Sequence, residues 1–243
     1  MKFFNLDSPL MKFLNRMTDV LWLNILTILS CILIIPAGAG FTALHYVCLK
    51  MVRDEEGYIT KDFFKSFKKN FKQATIIWLI ILAVAFLIYV DYKCLTTEEL
   101  LASLTISPVV LLAAIGAACL FILFTVLYVF PVLSHFENTV KGTIRNSFFM
   151  SVLALPRTLL MIVLNILPLA IIYCVEYFET MTWLIPLTVL FWFSAPAYFS
   201  AKLYNKTFKK FEPEDNGVTD DLEWTVNKDE AAATPEGIEK TEE

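Results

Sequence analysis

Few residues in this sequence have the types and spacing that catalysis needs. The two histidines, His45 and His135, have no serine, cysteine or carboxylate at a spacing typical of a nucleophile and its base. Two isolated histidines do not make a metal site either. The five cysteines are scattered singly without a CxxC pair, so their spacing indicates neither metal binding nor dithiol chemistry. We therefore expect no catalytic residue, no metal and no cofactor, and we predict that the protein is not an enzyme.

The clear apolar runs contain polar residues but no Asp, Glu, Lys or Arg, so a proton-coupled pump has no charged relay there. Three polar positions are candidates for the membrane interior: Asn24, His45 and Asn165. Small polar groups commonly join membrane helices through hydrogen bonds. Where proline interrupts a helix, the same groups can line a solute path. His45 either packs inside a helical hairpin or faces a cavity, whereas His135 is expected in a solvated loop.

A basic face is the other candidate site. Phe63, Phe67 and Phe71 recur every four residues, and the opposite side of this predicted helix is rich in lysine. The face predicted to contact lipid or a partner protein is formed by Lys61, Lys65, Lys68, Lys69 and Lys72. It lies directly before an apolar run, as is typical of an interfacial amphipathic helix. Nothing indicates nucleic acid, because the basic residues are tied to predicted membrane boundaries.

The elements that must position these residues are membrane helices. Hydrophobic residues make up 57% of the chain and the mean hydropathy is +0.62. The apolar residues form runs of about 17 to 25, which is long enough to cross a bilayer. We predict an all-α polytopic membrane bundle with about six membrane segments, the second short or re-entrant, and interfacial amphipathic helices. The predicted segments are residues 20–35, 37–51, 74–90, 109–133, 158–175 and 182–201.

The distribution of charge predicts the domains and the topology. Residues 1–19 form a predicted amphipathic interfacial segment, residues 20–211 the membrane helical domain and residues 212–243 an acidic tail. The tail holds 12 acidic residues against two lysines, so we expect it to be disordered. If residues 37–51 do not cross the membrane, the basic residues divide between both sides. If these residues cross, or turn back at Pro36, only Lys93 lies outside and both termini are cytoplasmic, which the positive-inside rule favours.

Two smaller alternatives concern packing. Cys94 and Cys174 either lie buried as small apolar side chains or pair near the outer face, and we expect the buried form. Ala113, Gly116 and Ala117 place small residues on one side of a predicted span. This spacing permits close helix packing inside one chain or between two copies, and we expect packing inside the chain.

Three stretches carry a resemblance to a known family. They are LWLNIL at residues 21–26, IPAGAGFTALHYVCLKMVRDEEGYITKDFFKSFKKNFKQATIIWLI at residues 35–80 and PVLSHFENTVKGTIRNSFFMSV at residues 131–152. They resemble the YesL family of bacterial integral membrane proteins, which is built on a domain of unknown function. The resemblance covers residues 4–205 and leaves out the acidic tail.

The resemblance implies a multi-pass protein of the bacterial plasma membrane. It also implies genes that often lie beside carbohydrate uptake systems of the ATP-binding cassette type, and it implies no catalytic residues. We therefore predict an accessory component of a carbohydrate uptake or sensing system. Its expected partners are the lipid bilayer and subunits of such a transporter. The alternative is a small-solute transporter or channel that acts on its own.

Overall fold

The computed structural model describes residues 9–55, 57–95, 108–178 and 182–209. Within these ranges every regular element is an α-helix, so the predicted all-α class is confirmed. The helices are α1 (Pro9–Ile32), α2 (Ala37–Arg53), α3 (Ile59–Leu95), α4 (Pro108–His135), α5 (Val140–Leu153), α6 (Leu155–Phe178), α7 (Leu184–Leu190) and α8 (Ser194–Phe208).

The chain divides into two units, Met1–Thr207 and Phe208–Glu243. The helical packing that follows belongs to the first unit. Of the second unit the structure describes only Phe208 and Lys209. The predicted acidic tail at residues 212–243 and the first eight residues of the predicted segment 1–19 therefore lie outside the described residues.

Three helical stretches are long and apolar enough to cross a membrane. They are Ile59–Lys93, Ala113–His135 and Leu155–Val175, and α7 with α8, bent by 49°, makes a fourth if the pair counts as one span. The apolar helices indicate a membrane protein, as predicted. By length and composition, however, the described residues hold three or four spans, and the predicted count of six is not reached. The two helices before Asp54 are the ones that fall short, because α1 contains charged residues and α2 has only 17 residues.

α1 is a single helix that continues through the predicted boundary after residue 19. It begins at Pro9, whose fixed φ suits the first position of a helix. No glycine or proline interrupts it before Ile32. The predicted interfacial segment and the predicted first membrane segment are therefore parts of one helix. The chain then turns, and α2 begins directly after Pro36, so the predicted break at this proline is confirmed.

α3 joins the basic face to an apolar run in one helix of 37 residues. At about 1.5 Å per residue it is about 55 Å long, whereas the hydrocarbon core of a bilayer is about 30 Å thick. The apolar run begins near Ala74. When α3 spans a bilayer, residues 59–73 therefore project beyond the hydrocarbon as the end of the same rod. They do not form a separate helix that lies flat at the interface.

α2 packs antiparallel to the basic half of α3. At one end, Lys50 Nζ lies 3.0 Å from Asp62 Oδ2. At the other end, Gly38 lies directly against α3. A Cβ atom added to Gly38 would lie 2.6 Å from the carbonyl oxygen of Ala74 and 2.6 Å from Cβ of Trp78. The two backbones thus approach at a point where only glycine fits.

The hairpin of α1 and α2 follows only part of α3. Trp22 Nε1 of α1 donates to Thr60 Oγ1 at 2.9 Å, and Trp78 Nε1 donates to the carbonyl oxygen of Ile34 at 2.9 Å. α1 is therefore parallel to α3, and the turn after α1 lies beside Trp78. Leu95 is 17 residues beyond Trp78. At 1.5 Å per residue, the hairpin ends about 25 Å short of the far end of α3.

The core lies where α2, α3 and α4 meet. Its buried members are Ala39, Ala74, Ile77, Val129, Phe130 and Leu133. Phe41 of α2 joins them, with its ring centroid 5.7 Å from that of Trp78 and 5.7 Å from that of Phe130. The same ring lies 5.5 Å from Phe193, in the bend between α7 and α8. Aromatic packing thus connects the hairpin to the last helix pair.

The close contact at Gly38 generates a paired prediction. Gly38→Ala places a methyl group against the backbone of α3, so we expect the free energy of unfolding to fall by about 1 to 3 kcal/mol. A Cβ atom at Gly116 in α4 meets nothing within 4 Å. Gly116→Ala, the matched control, is expected to be neutral or stabilising by about 0.5 to 1 kcal/mol, because alanine favours helix. Thermal unfolding of both variants in detergent measures the difference, and equal midpoints would contradict the packing at Gly38.

Candidate functional site

Asn24 is fully buried and bridges α1 to the bend between α7 and α8. Its Nδ2 donates to the carbonyl oxygen of Val189 at 3.1 Å. Its Oδ1 accepts from the backbone N–H groups of Phe193 at 3.0 Å and Ser194 at 3.3 Å. The last carbonyls of one helix and the first N–H groups of the next lack partners inside their own helices. One amide supplies both kinds of partner, so Asn24 joins helices, and both of its polar atoms are bound.

Asn165 has a different environment. It lies in the middle of α6 with an exposed side chain, and its Nδ2 donates to the carbonyl oxygen of Met161, one turn earlier in the same helix, at 2.8 Å. Asn165 therefore joins no other helix among the described residues. The structure does not bring it into one site with Asn24.

His45 packs outside its own hairpin. Its ring lies edge-on to Tyr204 of α8, with 5.7 Å between the ring centroids. Its Nδ1 is buried without a hydrogen-bond partner in the described part of the chain. His45 therefore belongs to α2 of the hairpin, but the aromatic ring that it contacts, Tyr204, belongs to α8.

His135 is the last residue of α4 and is half-buried, so the prediction of a solvated loop residue is wrong. Its Nε2 lies 3.4 Å from Nη2 of Arg53, and Arg53 Nε donates to Asn205 Oδ1 at 3.0 Å. A guanidinium only donates, so Nε2 is the acceptor in this contact. The cluster ties the ends of α2 and α4 to α8.

A buried tyrosine compensates for the proline inside α4. Pro131 has no N–H, so the carbonyl oxygen of Leu127 loses its usual partner four residues later. The hydroxyl of Tyr204 donates to this oxygen at 2.6 Å. α4 therefore continues through Pro131 with the freed acceptor satisfied by α8.

The lysine face is exposed along the first turns of α3. Of the phenylalanines at its flank, Phe63 is buried, whereas Phe64 and Phe71 stay exposed. Among the lysines, Lys69 Nζ lies 2.7 Å from Glu137 Oε1 after α4. The members with exposed side chains are Lys61, Lys65, Lys68, Lys69 and Lys72.

Two hollows flank Lys65, one on each side of the lysine face. The first, which we call the tryptophan groove, has a volume of about 960 Å³ and lies between α1 and the start of α3. Its walls include Thr18, Trp22, Tyr58, Phe64, Lys61 and Lys68. The second, which we call the polar pocket, has a volume of about 470 Å³ and lies between α3 and the connection from α4 to α5. Its walls include Tyr46, Lys69, Asn70, Gln73, His135 and Asn138.

Side-chain contacts hold the shape of the polar pocket. Gln73 Nε2 donates to the carbonyl oxygen of Asn138 at 2.8 Å, which connects α3 to the chain after α4. Thr139 then caps α5, because its hydroxyl oxygen accepts from the N–H of Gly142 at 3.2 Å. The pocket therefore offers fixed amide groups and two lysines, Lys65 and Lys69, of which Lys69 is paired with Glu137 of the same lining. This arrangement suits an acidic or hydrogen-bonding partner rather than an apolar one.

Two ion pairs at this end have shifted pKa values. The hydrogen bond to Asp62 raises the pKa of the Lys50 ammonium, so its contribution to stability is complete below the ordinary lysine pKa and is lost as pH rises above it. The hydrogen bond from Lys69 lowers the pKa of the Glu137 carboxyl, so its contribution is present above the ordinary glutamate pKa and is lost on acidification. Both pairs are therefore formed near neutral pH.

The remaining sequence candidates do not form a site. Ala113, Gly116 and Ala117 are exposed, and Gly116 has open space, so the expected close packing inside the chain is wrong for the described residues. Contact with a second copy stays a prediction. Cys174 is exposed and unpaired, so the expected burial of this thiol is wrong. The side chain of Cys94 lies outside what the structure describes. The residues that the structure describes contain no group of three or more His, Cys, Asp or Glu side chains that could hold a metal ion.

Sequence reasoning missed the partners of the polar residues more often than the residues themselves. Asn24 was recognisable as a buried amide, but its partners follow about 165 to 170 residues later in the chain. The sequence contained one indication of the hydrogen bond from Tyr204 to Leu127. Proline has no N–H, so Pro131 leaves the carbonyl oxygen four residues earlier without its usual partner. The Arg53 cluster had none, because its members come from three separate helices.

Together, the apolar helices indicate a helical membrane protein. Residues 17–92 match the model of a family described as "Protein of unknown function, DUF624". The chain is also similar to the "Uncharacterized protein YesL" of Bacillus subtilis (strain 168), with 31% identity over 99 residues. The chain is thus similar to YesL over part of its length, and the resemblance predicted from its motifs is confirmed for that part.

The match to YesL covers 41% of this chain and 44% of the relative, so the chain spans less than half of the relative's length. The resemblance expected beyond this part stays a prediction. No solved structure matches the chain.

The environments of the two asparagines generate a matched prediction. Asn24→Leu leaves the backbone N–H groups of Phe193 and Ser194 without their partner, each worth about 1 to 3 kcal/mol, whereas the carbonyl oxygen of Val189 keeps the N–H of Trp192 at 3.3 Å. We expect a large fall in the thermal midpoint in detergent, with protection from hydrogen exchange lost first around residues 189–194. Asn165→Leu removes only one intrahelical bond on an exposed face and is expected to change stability by less than about 0.5 kcal/mol. Similar midpoints for both variants would contradict the bridging role of Asn24.

Proposed function

We propose that this YesL-like chain is a multi-pass membrane protein that serves as an accessory component of a carbohydrate uptake or sensing system. Its partner docks on the basic end of the molecule. The observation that carries the proposal is the projection of the lysine face: residues 59–73 continue a candidate spanning helix by about 22 Å past its apolar run. Within this stretch Lys69 and Lys72 lie five and two residues before Ala74, about 8 and 3 Å along the helix axis, so these two lysines can meet a protein at the surface of the bilayer.

The polar pocket specifies the kind of partner. Its two lysines and its fixed amide groups suit an acidic segment, which Lys69 in the lining and the exposed Lys72 outside the lining would attract. The ion pair between Lys69 and Glu137 is exposed, and exposed ion pairs contribute little to the free energy of folding. An incoming carboxylate can therefore replace Glu137. The carbohydrate context rests on the resemblance to the YesL family, and an acidic segment of a transporter subunit of the ATP-binding cassette type is the proposed ligand.

The bonds of Asn24 support an accessory role over transport. A solute transporter is favoured by the 49° bend between α7 and α8, since interrupted helices often form binding sites. In this chain the bend is occupied by Asn24, whose amide already binds both helix ends. Asn165 and His45 lie elsewhere and add no ligand to it. Transport therefore remains the second candidate.

The proposed topology places the basic end in the cytoplasm of a bacterium and both termini on that side. Four complete spans, namely α3, α4, α6 and the pair of α7 and α8, would keep this sidedness if the hairpin of α1 and α2 enters and leaves on the basic side. The turn beside Trp78 supports such a short hairpin. The positive-inside rule supports the same orientation, because most of the lysines and arginines cluster at that end.

Cysteine labelling tests this topology. In a variant without native cysteines, Tyr58→Cys and Asp91→Cys each introduce one exposed thiol near opposite ends of α3. We expect a membrane-impermeant maleimide to label position 91 in intact cells, and position 58 only after the membrane is opened. Labelling of position 58 from outside would contradict the orientation.

Affinity capture tests the partner and its docking face. We expect the tagged full-length protein, cross-linked in its native membrane, to recover subunits of a carbohydrate transporter of the ATP-binding cassette type. Lys69→Gln with Lys72→Gln is expected to lower recovery roughly two- to ten-fold, because two exposed charge pairs are lost. Lys61→Gln with Lys68→Gln removes the same charge from the other side of the face and serves as control. Capture without transporter subunits would contradict the accessory role, and equal loss in both variants would contradict the polar pocket as the docking site.

A further inference from the structure

The polar pocket is lined almost entirely by polar side chains. Eleven of its thirteen lining residues carry a polar or charged group, and the two exceptions are Leu133 and Phe136. Ligand pockets are usually lined mostly by apolar side chains, with a few polar groups that fix orientation. With a volume of about 470 Å³, this pocket has the size of a small-molecule site. Its composition therefore indicates a small ligand that forms many hydrogen bonds.

Several of these polar groups have hydrogen-bonding capacity left. Asn70 Nδ2 donates to the carbonyl oxygen of Ser66 at 3.2 Å. Gln73 Nε2 donates to the backbone carbonyl oxygen of Asn138. Among the residues that the structure describes, the side-chain oxygens of Asn70 and Gln73 accept no hydrogen bond, and the side-chain amide of Asn138 forms none. The pocket thus presents unused acceptors as well as unused donors.

Two lysines one helical turn apart give the pocket its positive charge. Lys65 and Lys69 are four residues apart on α3, so both ammonium groups can approach one anion. Lys69 is paired with the exposed Glu137, whereas Lys65 forms no ion pair with any described residue. The two lysines outweigh the single carboxylate of the lining, which leaves a net positive charge.

The amides and the lysines together restrict the chemistry of the ligand. An ionised phosphate or carboxylate group accepts hydrogen bonds, so it satisfies the lysines but not the oxygens of Asn70 and Gln73. A hydroxyl group both donates and accepts, so it can bind an amide through either of its polar atoms. A phosphate monoester carries a charge of about −1.5 to −2 at neutral pH, which is enough for both lysines once Lys69 releases Glu137. The ligand therefore needs an anionic group and hydroxyl groups on one small frame.

We propose that the polar pocket binds a small, water-soluble phosphate ester that carries several hydroxyl groups, such as a phosphorylated sugar or polyol. Its phosphate binds Lys65 and Lys69, and its hydroxyl groups bind the amide side chains of the lining. A phosphatidylglycerol headgroup has similar chemistry, but Lys65 lies nine residues, about 14 Å, before the apolar run at Ala74. The headgroup layer of one leaflet is only about 5 to 8 Å thick. This height favours a soluble ligand.

The ligand also regulates the proposed partner, and this consequence alone rests on the proposed function. The phosphate ester and the acidic segment of the transporter both bind Lys69, so they compete for the same pocket. A rising concentration of the ester in the cytoplasm then releases the transporter. The accessory protein would thereby sense a soluble metabolite through the surface on which its partner docks.

Isothermal titration calorimetry on the full-length protein in detergent tests the site. The probes are glycerol 3-phosphate, ribose 5-phosphate and glucose 6-phosphate, compared with inorganic phosphate alone and with glucose alone. We expect at least one ester to bind about ten-fold or more tightly than inorganic phosphate and glucose, because only an ester satisfies both the lysines and the amides. If no ester exceeds inorganic phosphate, the site is overturned.

A further probe distinguishes a soluble ligand from a lipid. Glycerophosphoglycerol is the headgroup of phosphatidylglycerol without its acyl chains, and it carries a phosphate diester between two hydroxylated groups. We expect it to bind more weakly than the best monoester, because a diester has a single negative charge for the two lysines. Tighter binding of glycerophosphoglycerol than of all three monoesters would overturn the soluble ligand in favour of a lipid headgroup.

Two substitutions separate the anionic end of the site from its hydroxyl-binding end. Lys65→Gln is expected to weaken binding of the ester and of inorganic phosphate about ten-fold, since a hydrogen bond to a charged group is lost. Asn138→Ala is expected to weaken binding of the ester about three- to ten-fold and to leave inorganic phosphate unchanged. The matched controls outside the pocket are Lys68→Gln in α3 and Asn146→Ala in α5.

These controls decide the assignment. Equal loss in Lys65→Gln and Lys68→Gln would overturn it, since it would show attraction by net charge alone. Equal loss of ester and inorganic phosphate in Asn138→Ala would overturn the role of the hydroxyl groups. The thermal midpoints of the four variants identify any loss of fold.

Affinity capture in the presence of the tightest-binding ester tests the competition. We expect recovery of transporter subunits to fall about two-fold when the ester is added at its dissociation constant. Unchanged recovery would overturn the competition. If no subunit is captured even without the ester while calorimetry shows binding, the proposed partner fails and the site stands. Failure of one proposal is therefore distinguishable from failure of the other.

Discussion

The contact between two helix backbones at Gly38 sets the geometry of the basic end. Helices come this close only where no side chain stands between them, and a single methyl group there would overlap with Ala74 and Trp78. With α2 fixed on α3 in this way, Lys50 reaches Asp62 and the turn before α2 reaches Trp78. The tryptophan groove and the polar pocket are both walled by α3, so their shapes depend on how the neighbouring helices are held against it.

Local sequence patterns predicted the faces of the helices well. The fourfold spacing of phenylalanine and lysine gave the exposed lysine face, and Pro36 gave the end of the first hairpin arm. The patterns were less informative about where helices end. Segments were divided where polar composition changed to apolar composition, near residues 19 and 73, but neither place has a glycine or proline. The helical backbone therefore continues through both places. α1 and α3 are each one helix with a polar part and an apolar part.

Long-range polar contacts could not be predicted, for a physical reason. Periodicity reports which side of a helix is buried, whereas a hydrogen bond depends on which element lies opposite. Asn24 and Tyr204 both stabilise irregular backbone, at the bend after α7 and at Pro131 respectively. In both cases the sequence contains the interruption and the polar residue, but only the packing of distant helices brings them together. The number of spans could not be predicted for the same reason, since composition does not fix how far a hairpin extends along its neighbour.

The continuity of α3 makes the molecule mechanically coupled across the membrane surface. A rod of 37 residues without a proline or glycine transmits a change in tilt from its apolar part to its cationic tip. If it pivots near Ala74, a tilt of about 10° moves a tip about 22 Å away by about 4 Å. Bilayer thickness alters the tilt of spanning helices. If α3 spans the membrane, the height and position of the lysines above the surface would therefore vary with the thickness of the surrounding lipid, even though the helix contains no proline or glycine.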